Sequence, residues 1–91
     1  MRCGLKENNM DLKYIVTQYG FAIFSAGETH KKIAAGMEEK PIGAGFCRVE
    51  VIDHGYGFIA TVHCYGESVS LGIKSRPEDG EFINRRIKND L

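Results

Sequence analysis

Ninety-one residues and 10.1 kDa make one domain's worth of chain, too little for a catalytic domain plus a regulatory one. Twelve Lys+Arg offset twelve Asp+Glu, giving a formal net charge of zero and a pI near 6.8, so no whole-molecule field gathers nucleic acid or anionic membrane. Hydrophobic residues at 43% with 26% charged residues exclude the composition of disorder and support one modest core without metal or disulfide staples.

Residues 1–10 are polar and patternless and read as a disordered leader, with Met10 as an alternative start and residues 11–91 as a single domain. They hold no apolar run long enough for a signal-peptide core, and no eighteen-residue apolar stretch occurs anywhere. Cys3, Cys47 and Cys64 are odd in number and widely spaced, which argues for a reducing, cytoplasmic setting.

From Leu12 to Gln18 and from Phe21 to Ser25 run two β-branched and aromatic segments, either one long strand bent at Gly20 or a hairpin with Tyr19-Gly20 as its turn. That turn sets Val16 opposite Ile23 and Ile15 opposite Phe24, which leaves both faces apolar and in need of cover, the second cover being open to an interface. Thr29 to Met37 reads as a short helix capped by Thr29, with Ile33, Ala34 and Met37 on one side and Gly36 as a stop signal.

Ile42 to Ile52 alternates Cys47, Val49 and Val51 against Arg48 and Glu50, and Phe58 to Cys64 alternates Phe58, Ala60, Val62 and Cys64 against Thr61 and His63. Residues Asp53 to Gly57 between them are turn chemistry. Two registers keep the apolar sets on one face. One sets Cys47 opposite Cys64 and Val51 opposite Ala60; the other slides one step and sets Val51 opposite Phe58. Ser68 to Lys74 is expected as a third meander strand, with Val69, Leu71 and Ile73 inward and Ser68, Ser70 and Gly72 outward. Ser75-Arg76-Pro77-Glu78 then reads as a capping box opening a helix with Phe82, Ile83 and Ile87 as its buried stripe and Leu91 as its extension. The order β-β-α-β-β-β-α is that of an α+β domain, an antiparallel-dominated sheet of about five strands with two helices on one face.

The chemistry-bearing patterns are weak. Gly43-Ala44-Gly45 and Gly55-Tyr56-Gly57 lack the third glycine and the following helix of a dinucleotide fingerprint, and Gly66-Glu67-Ser68-Val69-Ser70 lacks the last glycine of a nucleophile elbow. Cys47, Cys64, His63 and His54 carry no zinc-ligand spacing, and the alternation sends His63 away from both thiols. No catalytic residue, cofactor or metal is therefore assigned.

What remains is a surface for a partner or an anion. The outward row Ser68, Ser70 and Lys74 leads into Ser75 and Arg76 at a helix N-terminus, where Glu78, Asp79 and Glu81 oppose an anion. Lys31 and Lys32, with Arg76, Arg85 and Arg86, supply a basic set, and Tyr14, Tyr19 and Tyr65 supply stacking faces. The reading is a small non-enzymatic interaction or structural module that self-associates as a homo-oligomer or binds a protein partner. The alternative is a nucleic-acid or anion-binding module using those basic residues, and a third is an enzyme site shared between subunits and lined by His63, Glu67 and Arg76.

Overall fold

The computed structural model describes residues 11–53 and 55–90; the expectations placed on residues 1–10, His54 and Leu91 lie outside them. Among the described residues eight elements follow one another: β1 Asp11–Val16, β2 Phe21–Phe24, α1 His30–Ala35, β3 Gly43–Asp53, β4 Phe58–Tyr65, β5 Glu67–Ser68, β6 Ile73–Lys74 and α2 Pro77–Asp90. The expected α+β class is the class found. Strands β1 to β4 form one antiparallel sheet in the order β2-β1-β3-β4, and β5-β6 form a separate two-stranded ladder.

The long hairpin takes the first of the two open registers, with Cys47 opposite Cys64, Val49 opposite Val62 and Val51 opposite Ala60. The first hairpin differs from expectation by one ladder step. Gln18 and Tyr19 are the turn, because the Thr17 N–H donates to the Gly20 carbonyl at 2.8 Å and the Gly20 N–H donates to Thr17 Oγ1 at 3.1 Å. Val16 therefore opposes Phe21, and Tyr14 opposes Ile23. A two-residue slide keeps every side chain on its expected face.

Period-two alternation in β1 sends Tyr14 and Val16 to one face and Ile15 to the other, and all three are buried. On the first face Tyr14, Val16, Cys47, Val62 and Ile83 form the core, flanked by Leu12, Phe21, Ile23, Val49, Cys64, Phe82 and Ile87. Helix α2 is its cover. On the second face Lys13, Phe24 and Phe46 share a row, and the His30 ring sits between Phe24 and Phe46 in edge contacts at 5.5 and 6.1 Å. Helix α1 therefore lies opposite α2, so the expectation of two helices on one face is corrected. A single helix cannot reach both apolar faces of an interior strand, and the second cover comes from within the chain.

The expected meander strand Ser68 to Lys74 is also corrected. It folds back on itself as β5 and β6, with Glu67 opposite Lys74 and Ser68 opposite Ile73. Gly72 at φ +68° makes the reversal possible, its N–H donating to the Ser68 carbonyl at 2.8 Å. As a result Val69 is 84% exposed, whereas Ser68, expected outward, is buried, its Oγ accepting the Leu71 N–H at 3.2 Å. Alternation alone did not distinguish a seven-residue strand from two short strands around a turn.

Candidate functional site

The most densely bonded polar group in the core is the Asp79 carboxylate, which is fully buried. Pro77 starts α2, which makes Arg76 the N-cap and Asp79 the third helical residue. Asp79 Oδ2 accepts the Arg76 backbone N–H at 2.9 Å, and Oδ1 accepts Arg76 Nε at 2.8 Å and pairs with Nη2 at 2.7 Å. From across the sheet the Tyr14 hydroxyl donates to Oδ2 at 2.6 Å. Tyr14 has one proton to give, so Ser75 Oγ, 2.8 Å away, donates to the phenol oxygen. Burial first, then the bond to Asp79, pushes the Tyr14 pKa far above its ordinary value.

This arrangement corrects the expected capping box. Ser75 and Glu78 do not hold the helix start; Asp79 takes the N-cap N–H and Ser75 turns inward to Tyr14. Room for the carboxylate comes from Gly43, where a Cβ would lie 2.2 Å from Asp79 Oδ2. Both carboxylate oxygens are saturated by donors, and no lone pair remains to take a proton from a substrate. The clasp is a structural joint that fixes α2 to β1.

Beside it opens a cleft of about 530 Å³ between β4 and the first turns of α2, lined among others by His63, Cys64, Ser75, Arg76, Glu81 and Asn84. At its far end Asn84 grips the outer edge of β4. Its Nδ2 donates to the Val62 carbonyl at 3.0 Å and its Oδ1 accepts the Val62 N–H at 2.7 Å, so one side-chain amide imitates a neighbouring strand. Gly80, four residues earlier on the same helical face, sits against the Val62 carbonyl and the Cys64 N–H. The helix thus seals the β4 edge at residues 62 to 64. Beyond them the ladder continues through Ala60, which is exposed, to Phe58. Among the described residues nothing pairs with that outer edge.

The basic residues singled out in the sequence do not converge. Lys31 and Lys32 lie exposed on α1, where Lys32 pairs with Glu28 at 3.3 Å, while Arg76 at the N-cap of α2 and Arg85 and Arg86 within it lie on the opposite face. Arg85 pairs with Glu81 at 3.1 Å, Arg86 donates to the Tyr19 carbonyl at 3.0 Å, and Arg76 is held by Asp79 with Glu78 at 3.5 Å. Ser70 is exposed in the turn between β5 and β6, Lys74 is exposed on β6, Ser68 is buried, and Ser75 is engaged with Tyr14. Of the shared-site candidates, His63 and Arg76 line the cleft, while Glu67 lies on the α1 side beside His30.

Cys47 and Cys64 are free thiols facing each other across β3 and β4. Burial pushes the Cys47 pKa up to about 11 with a smaller contribution from Asp11, and burial followed by Cys47 and Asp79 pushes Cys64 up to about 12. His63 points to the other face and meets Glu50 at 3.2 Å. Among the described residues no cluster of three His, Cys, Asp or Glu is placed to hold a metal ion, and no helix is long and apolar enough to cross a membrane.

Sequence reasoning missed three of these residues. The sequence pattern marks Tyr14 as a stacking face and Asp79 as one acid among several at a helix start, and it gives Asn84 no role. The available signal was the spacing Gly80 to Asn84, which puts a residue without a side chain and a two-way hydrogen-bonding amide on one face of α2. Comparison with family models, with curated proteins and with solved structures returned no match.

Proposed function

We propose that the chain is a non-enzymatic interaction module that self-associates through the open outer end of β4, two copies pairing edge to edge about a two-fold axis. The observation that carries the reading is where the helix cover stops. Asn84 and Gly80 shield residues 62 to 64, and among the described residues the ladder runs on unshielded through Ala60. An open strand edge presents backbone donors and acceptors that a second strand satisfies. The occupant with a matching edge is the same segment of another copy, since an antiparallel pair about a two-fold axis makes each strand its own complement. The saturated Asp79 clasp and the scattered cations, of which Lys32, Arg76, Arg85 and Arg86 are locally paired, support binding over catalysis and over phosphate tracking. The odd, widely spaced set Cys3, Cys47 and Cys64 supports a reducing, cytoplasmic compartment.

The test is light scattering on a sizing column across a concentration series, with absorbance at 260 and 280 nm read on the same peak. Ala60→Pro is the decisive variant. The N–H of Val62 points away from β3 to Asn84, so that of Ala60, two residues along, points away as well. Proline there removes an outward donor and leaves the β3–β4 ladder intact. A dimer that Ala60→Pro dissociates supports the proposal. A monomer at every concentration, or a dimer indifferent to Ala60→Pro, overturns it. Nucleic-acid absorbance stripped by salt overturns it in favour of the basic residues.

A further inference from the structure

We propose that Cys47 and Cys64 form an oxidation site, two thiols that close into a cross-strand disulfide on exposure to a small-molecule disulfide. Three observations carry this. The register sets the two residues directly opposite each other. The Asn84 grip shows that the Val62 N–H and C=O both point away from β3, so Val49–Val62 is a non-hydrogen-bonded pair, and Cys47–Cys64, two residues along, is another. Opposed residues in such pairs have Cα atoms about 4.5 Å apart, inside the span of about 4.4–6.8 Å that a disulfide bridges. The third observation is unequal access. Cys64 lines the cleft and is partly exposed, whereas Cys47 is fully buried behind it.

That inequality orders the chemistry. Cys64 gives its proton to solvent, and the thiolate attacks one sulfur of the small disulfide RSSR, forming a Cys64 mixed disulfide and releasing RS⁻. Cys47 then loses its proton and attacks the Cys64 sulfur, which expels the second RS⁻. Two protein thiols are oxidised, RSSR is reduced to two RSH, and the two protons end on the two leaving thiolates. Buried thiols of high pKa make the first step slow at neutral pH, and its rate rises with pH as the thiolate fraction grows. The ionisable groups around Cys64 are Cys47 on β3, Tyr14 on β1, Asp79 and Glu81 on α2 and Arg76 at its N-cap, with His63 beside it on β4.

The experiment incubates the folded Cys3→Ser chain with oxidised glutathione and reads intact mass, then maps linkages by non-reducing digestion. The expected product has lost two hydrogens, carries Cys47 joined to Cys64, and unfolds with a midpoint higher by roughly 5–15 °C. Adding Cys47→Ser leaves a lasting glutathione adduct on Cys64; adding Cys64→Ser leaves Cys47 unmodified while the chain is folded. A lasting adduct on Cys64 with Cys47 present overturns the proposal. So does a folded chain whose two thiols both stay unreacted under conditions that modify them fully in urea.

Discussion

Replacing Tyr14 by Phe removes a single oxygen from the Asp79 clasp and leaves the shape of the core unchanged. The bond lost is 2.6 Å long and ends on a carboxylate with no solvent exposure, so water does not replace the missing donor. Hydrogen bonds to charged groups contribute about 1.5–3 kcal/mol. Asp79 keeps its three contacts to Arg76, and Ser75, which is partly exposed, turns to solvent, so the expected loss lies near the middle, about 2 kcal/mol. For a domain of this size that lowers the thermal midpoint by roughly 8–16 °C. Urea and thermal unfolding followed by circular dichroism measure it, and the double variant with Asp79→Asn isolates the pair. A coupling of about 1 kcal/mol or more is expected between the two positions. A loss below about 0.5 kcal/mol, or strict additivity with Asp79→Asn, refutes the assignment of Asp79 as the hub that fixes α2 to the sheet.

Gly43→Ala places a methyl group 2.2 Å from a carboxylate that Tyr14 and Arg76 hold still, and a loss of about 1–3 kcal/mol in urea unfolding is expected; Gly20→Ala, with nothing within 4 Å, is the near-neutral control. Asn84→Ala removes both bonds to the Val62 edge, costs about 1–2 kcal/mol, and lengthens the open edge, so sedimentation is expected to show stronger self-association than the unsubstituted chain. Alkaline pH is expected to destabilise the fold, because Tyr14, Cys47 and Cys64 all keep their protons longer folded than unfolded. The unfolded chain releases protons first from the thiols near 9.0 and then from the phenol near 10.0, so stability is full below about pH 9 and falls as pH rises through the folded thiol values of about 11 and 12. A urea midpoint that stays flat from pH 8 to pH 11 contradicts this.

Local signals carried the elements and failed where tertiary contacts decide. Alternation over residues 43–65 exposed both long strands and their shared apolar face, because a half-buried ladder writes its period directly into the residue types. Thr29 capped its helix as read, its Oγ1 accepting the Lys32 N–H at 3.1 Å. The helix cover on the far side of β1 was not legible, since nothing in Ile15 names which element buries it. Ser68 to Lys74 satisfied a period of two by coincidence, and only Gly72 hinted at the reversal. Asp79 illustrates the harder case. Three acids, Glu78, Asp79 and Glu81, crowd the start of α2, and which of them faces inward depends on where Gly43 leaves space, a fact about a strand thirty-odd residues earlier.

Among the described residues, those that close the Tyr14 face of the core from outside the sheet all belong to α2, so the order of synthesis matters. A chain made from its amino end acquires all four strands of the main sheet before Pro77 emerges. Until then Tyr14, Val16, Cys47 and Val62 present an apolar surface with no partner, and the Tyr14 hydroxyl waits for an acceptor that lies 65 residues away. Contacts of such long sequence separation slow folding and prolong the life of exposed intermediates. A nascent or prematurely terminated chain that stops short of Ile83 is therefore the form in which this protein most needs a chaperone, and the form most prone to aggregate.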